Sequence, residues 1–344
     1  MTRRYAMAQV TAVALAMLAA GSAGGVLRHP SPVAAAPGRA RAALPVLPLV
    51  HRFMVGKTCN DIAVMPRSHV LVMAQSAGGR AVALDEGTGR QLALVHLFSA
   101  AFHVAVDPAL GQIYLPDEYS GRLIVVRLLH GWARRTMTSV PVGRRPHGVA
   151  VDLRTHRVYV ADERGGTLSS IAGATLRVQA TIHVGRGPGG VGVAAAAHLV
   201  YVVLVDEDRV VVLDAATGKV RRSIPVGEGP THLAVDAASR RAAVVNTTGG
   251  TLSVVDGLRG TAAPPVPVGT KPYNVALDSA RGLIFVASAT VPQVTVVDSR
   301  HLAVRGTIRL DMVPGALAID PGRRLLIVGG ATRPWVEIFS YRAL

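Results

Sequence analysis

Asp61 and His103 stand 42 residues apart, and so do His232 and Asn274. Donors so widely separated meet only if a fold brings the same point of a repeated unit to one place. Asn60, His147 and Tyr273 lie one position earlier in their own units, and Asp117 and Asp162 share a second recurring point. Gathered together, these side chains have the right donors for zinc, iron or manganese, or for an anionic ligand. Asp61, His103 and His232 are the candidates for metal ligands. The competing account is a polar ring that hydrogen-bonds water. A divalent metal is therefore the one cofactor the residues could hold, and none is required.

A second group lies in one loop. His130-Gly131-Trp132-Ala133-Arg134-Arg135 places an aromatic ring among cations, and Trp132, Arg134 and Arg135 could stack a base or grip an anionic partner. Net charge is +16; residues 1–43 carry five arginines and no acid, which leaves about +11 for the rest. That surplus attracts anionic surfaces, nucleic acid included. A solvated rim loop is the plainer reading of the same residues.

Several chemistries are excluded. The chain has no Gly-x-Ser-x-Gly, no His-Glu-x-x-His, no Cys-x-x-Cys-His and no phosphate-cradling loop. Its single cysteine, Cys59, rules out an intramolecular disulfide and reads as a small buried hydrophobe.

The elements that must position these residues come from a repeat. Seven short runs recur: Ala63-Val64-Met65, Ala105-Val106-Asp107, Ala150-Val151-Asp152, Gly192-Val193-Ala194, Ala234-Val235-Asp236, Ala276-Leu277-Asp278 and Ala318-Ile319-Asp320. Their last residues are separated by 42, 45, 42, 42, 42 and 42 positions. Each unit holds four strand signals and no helical period, with turn residues such as Gly165-Gly166 and Gly249-Gly250 between them. Four strands per unit, seven units and an inner strand apolar on both faces predict an all-β, seven-bladed β-propeller of four-stranded blades. The Ala or Gly two positions before each run's end fits blades that converge on an axis. Asp152 and Arg157 are expected to pair across a turn. The seventh unit stops after three strands, so Leu49 to Gly56 is expected to complete it and to leave no open sheet edge.

Val158-Tyr159-Val160-Ala161-Asp162 and Val244-Val245-Asn246, with the flanking Val-Gly-x-x-Pro and Thr-Gly-Lys-Val elements, resemble the YVTN β-propeller repeat family. The resemblance covers residues 49–344 and implies the propeller fold. Relatives include surface-layer and periplasmic proteins, one group of which binds single-stranded DNA, and more distant dehydrogenase propellers. It implies that Asp117 and Asp162 occupy the asparagine position of the motif, beside the upper mouth of the channel where propeller ligands gather.

Residues 1–27 read as an export signal or an uncleaved anchor. Arg3 and Arg4 precede an apolar stretch, and small residues follow at Gly21 to Gly24. Residues 28–48, rich in Ala, Pro and Arg, read as a linker, and residues 49–344 as the propeller. The expectation is a monomeric binding or scaffold protein, secreted, periplasmic or at the cell surface, with a protein or polyanion partner. Membrane contact would come only through the N-terminal segment. The alternative is a lactonase-like metal hydrolase at the channel mouth, or an accessory propeller of an oxidoreductase.

Overall fold

The repeat units fold as their strand signals require. A computed structural model describes residues 44–344 apart from 66, 98, 131, 133, 237 and 238. Residues 1–43, with the expected signal and most of the expected linker, lie outside the described residues. Blade 3 is typical: Pro146–Asp152 is innermost, followed outward by Arg157–Asp162, Thr167–Ala172 and Arg177–His183, all antiparallel. The other inner strands are Asp61–Met65, Ala105–Asp107, Pro188–Ala194, Pro230–Asp236, Pro272–Asp278 and Pro314–Asp320. Together they form a seven-bladed β-propeller with no α-helix among the described residues, only the 3-10 turns Ala195–Ala197 and Val205–Glu207.

Burial on both faces holds the ring together. In Val70–Gln75, Leu71 and Met73 join the apolar cluster shared with blade 7, while Val70, Val72 and Ala74 join the cluster shared with blade 2. Alternate side chains thus serve opposite neighbours. Seven such clusters occur, one for each pair of adjacent blades. The small residue of the inner strand has the expected cause: a Cβ on Gly192 would lie 2.4 Å from Leu233 of the next blade. Cys59 is buried against Gly329, and burial pushes its thiol up, so it is a packing residue.

Leu49–Met54 pairs antiparallel with Trp335–Ser340 and completes the last blade. Across that ladder Arg52 donates from Nε to Glu337 at 2.8 Å, and Glu337 is fully buried. Leu44 and Leu47, within the expected linker, already pack on blades 6 and 7.

At the lower end, the strand-ending aspartates cap turns. Asp152 accepts from the backbone N–H groups of Arg154 and Thr155, and Asp298 from those of Arg300 and His301. The expected Asp152–Arg157 ion pair is absent among the described residues. Arg157 instead donates to the Ala215 carbonyl at 2.6 Å, because its side chain crosses to blade 4.

Candidate functional site

The inner strands do not run straight into the channel mouth. Pairing with the second strand slips between Pro146 and Val149, Pro188 and Val191, Pro230 and His232, Pro272 and Asn274, and Pro314 and Ala316. Such bulges re-aim side chains, and here the irregular stretch carries the residues singled out by their spacing. Blades 3 and 4 contribute almost bare backbone. A Cβ on Gly148 would lie 2.2 Å from the Gly189 carbonyl oxygen, and one on Gly190 would lie 2.9 Å from that of Thr231. The result is a cavity of about 160 Å³ lined by Asp61, His103, Gly148, Gly190, His232 and Asn274, among others.

Three imidazoles from blades 2, 3 and 5 meet at this mouth. His103 and His147 bring their Nε2 atoms to 3.1 Å, with ring centroids 4.5 Å apart. The His232 ring lies 5.1 Å from His103 and 6.4 Å from His147. One ring nitrogen from each histidine falls within 4.8 Å of the other two.

The outer nitrogens are held by carboxylates. His103 Nδ1 lies 3.3 Å from Asp61 Oδ2, and His147 Nδ1 lies 2.6 Å from Glu118 Oε1. Asp61 is fixed by the backbone N–H groups of Ile62 and Val104, and Glu118 by Arg145 Nε at 3.1 Å. Burial pushes the Glu118 carboxyl up, but the hydrogen bond and charge of His147, with Arg145 beside them, hold it below the usual carboxylate range.

A carboxylate only accepts, so each Nδ1 carries a proton, and a ring in its neutral form presents a lone pair at Nε2. Two lone pairs facing across 3.1 Å repel each other unless a proton or a metal cation sits between them. Zinc–nitrogen bonds of 2.0–2.1 Å at a tetrahedral angle place two nitrogens about 3.3 Å apart. The observed separation is close to that spacing. Carboxylates on the far nitrogen are the usual supports of metal-bound histidine.

His232 adds a second indication. It is buried, and neither ring nitrogen has a hydrogen-bond partner. Burial, then the charges of His103 and His147, push its pKa well below the ordinary histidine value; the nearby Tyr273 backbone opposes this only weakly. The ring therefore stays neutral, the form that binds metal. The Tyr273 ring packs edge-on against it at 4.6 Å, and burial, Asp61 and Glu118 push the phenol up to about 12. Tyr273 thus stays protonated at neutral pH.

The remaining candidates have other duties. Asp61 orients His103, and His147 takes the third place in the cluster. Asn60 accepts from Ser76, and Asn274 accepts from the Val275 backbone. Asp117 caps the turn at Tyr119 and Ser120, while Asp162 is buried and bound by Thr167, Ser169 and the Gly143 backbone. Both sit inside their blades rather than in the cavity. Trp132 is half-buried on the cluster between blades 1 and 2, and Arg135 donates to the carbonyls of Trp132 and Leu94. Arg134 is exposed and starts the outer strand Arg134–Pro141. Glu118 escaped the sequence reading. Its signal was register: Ser76 and Thr247, at the same point of blades 1 and 5, also reach residues at the starts of inner strands.

Against known proteins, no family model and no curated protein matches the chain. Solved structures do match: 1583 chains do so, too many for a fold likeness to choose a function. One is the hydrazine synthase of Kuenenia stuttgartiensis, with a TM-score of 0.72 and 15% identity over 89% of this chain and all of that one. The likeness shows the propeller. It extends to nothing chemical at that identity.

Proposed function

We propose that this protein is an exported binding propeller of the YVTN type whose upper mouth seats one transition-metal ion on His103, His147 and His232. The observation that carries the reading is the pair of facing Nε2 atoms at 3.1 Å, each ring backed by a carboxylate, beside a buried His232 with two unpartnered nitrogens. Imidazole donors suit zinc and copper. Three protein ligands leave a fourth position, which is the arrangement of an open zinc site. Here that position would face the cavity, where a small ligand can exchange. Tyr273 and Asn274 are the neighbouring polar groups, and the phenol can donate a hydrogen bond to whatever the ion holds.

Polyanion docking has weaker support. Many lower-face arginines are already engaged: Arg221 with Asp214, Arg281 with Asp278, Arg305 with Asp298 and Arg323 with Glu86. The test is elemental analysis of full-length protein purified without chelator. About one equivalent of zinc or copper is expected, absent from His147→Ala and His232→Ala and retained in Asp117→Asn. Folded protein that neither carries nor takes up metal would overturn the proposal.

A further inference from the structure

At the opposite end of the ring, the join between the last and first blades has an unbalanced charge. In two other blades the inner-strand aspartate is answered across the blade boundary by a donor. Asp107 of blade 2 receives His156 Nδ1 of blade 3 at 2.7 Å, and Asp278 of blade 6 receives the Tyr341 hydroxyl of blade 7 at 2.8 Å. Asp320 of blade 7 faces blade 1, where His69 occupies the place of His156. Both histidines precede the second strand and hold a left-handed backbone, with φ of 52° and 56°.

At this join a second carboxylate intervenes. Glu86, from the turn after the third strand of blade 1, is fully buried; Arg323 takes one of its oxygens, and His69 Nδ1 stands 3.7 Å from the same oxygen. Glu86 Oε1 and Asp320 Oδ2 have no partner and no contact with solvent. Asp320 spends its other oxygen on the Arg323 backbone N–H. Two carboxylates and one guanidinium leave a net negative charge, and although His69 and Arg323 are half exposed, the two unpartnered oxygens are cut off from water, so that charge needs compensation.

We propose that Glu86 Oε1, Asp320 Oδ2 and His69 form a second cation site, which takes an oxygen-preferring divalent ion such as Mn²⁺ and fastens blade 7 to blade 1. One donor atom from each lies within 4.8 Å of the others. His69 Nδ1 stays 3.7 Å from Glu86 Oε2, outside hydrogen-bond distance, whereas His156, with one carboxylate to face, closes to 2.7 Å from Asp107. Two carboxylates and one imidazole are harder than three imidazoles, so this site suits manganese better than the mouth does. Burial and Asp320 push the Glu86 carboxyl up, while Arg323 and His69 pull it down. A proton shared between the two carboxyls is therefore the rival way to remove the charge.

The experiment titrates Mn²⁺ into metal-free full-length protein, with free Mn²⁺ followed by electron paramagnetic resonance and unfolding by circular dichroism. A His103→Ala/His232→Ala variant removes the mouth from the readout, so the two sites fail separately. One Mn²⁺ per chain is expected in the wild type and in that variant, with a raised melting temperature. Asp320→Asn and Glu86→Gln should abolish both effects while remaining folded. Binding that survives both substitutions would overturn the proposal. So would an absence of Mn²⁺ binding together with a loss of melting temperature as pH rises that the wild type shows and Glu86→Gln lacks. That result would assign the charge to a shared proton.

Discussion

His103 and His147 face each other through Nε2 at 3.1 Å, and each has its other nitrogen against a carboxylate from the preceding blade, Asp61 and Glu118 respectively. The pair is an inter-blade device. Its geometry depends on the ring being closed and on two partly buried acids holding the imidazoles in one tautomer. A proton or metal cation between the rings relieves the facing lone pairs.

Glu118→Gln should leave the fold intact and weaken metal binding by about 10–100-fold, the usual loss when the support of a ligating histidine is removed. Competition with a chromogenic chelator measures it. An unchanged affinity would mean that His147 is not a ligand.

The neutral His232 gives metal-free protein a pH dependence of defined sign. Its folded pKa lies well below the unfolded value, so the folded chain binds fewer protons. The contribution to stability is present above the unfolded pKa, near 6.5, and is lost as pH falls below it, by up to about 1.4 kcal/mol per pH unit. Urea unfolding at pH 7 and pH 5 should show a smaller loss in His232→Gln than in the wild type. Equal losses would contradict this.

Closure by Leu49–Met54 predicts that deleting Leu49 to Val55 exposes the Trp335–Ser340 edge and causes aggregation. A milder change, Arg52→Ala, leaves the buried Glu337 carboxylate short of its partner and should cost about 1–3 kcal/mol. A deletion variant that stayed monodisperse with an unchanged melting temperature would refute the closure argument.

Trp132, a candidate for stacking a base in a loop read more plainly as a solvated rim, is half-buried on the cluster between blades 1 and 2, which gives it a packing duty. Trp132→Ala should therefore lower stability by about 1–3 kcal/mol and leave any retention of single-stranded DNA unchanged. Arg134→Ala/Arg135→Ala should flatten a salt slope only if those side chains meet phosphates. Fluorescence titrations at low and moderate salt distinguish the two results.

The fold was legible because its causes are repetitive. Seven copies of one run, Ala or Gly where blades converge, and a missing fourth strand all express packing constraints that recur in each unit. The site was only partly legible. His103 and His232 fall at one point of the repeat, but the third ring, His147, comes from the neighbouring position, because the bulge between Pro146 and Val149 changes how that strand meets the mouth. Asp61, nearer in spacing, turned out to orient rather than to complete the cluster. Asp117 and Asp162 stand at a family position whose side chains the structure spends on turns and on the link from the preceding blade. Glu118 acts across a blade boundary, and its partner lies 29 residues away on a different unit. The Glu86–Asp320 contact joins the two ends of the chain, and no local pattern announces it.

X-ray absorption at the metal edge of zinc-loaded or copper-loaded full-length protein tests the central claim most directly. The account predicts a first shell with three imidazole nitrogens at about 2.0–2.1 Å for zinc, and no such imidazole-bound zinc in His232→Ala. A shell of oxygen donors, or a spectrum unchanged when His103, His147 and His232 are replaced one at a time, would contradict it.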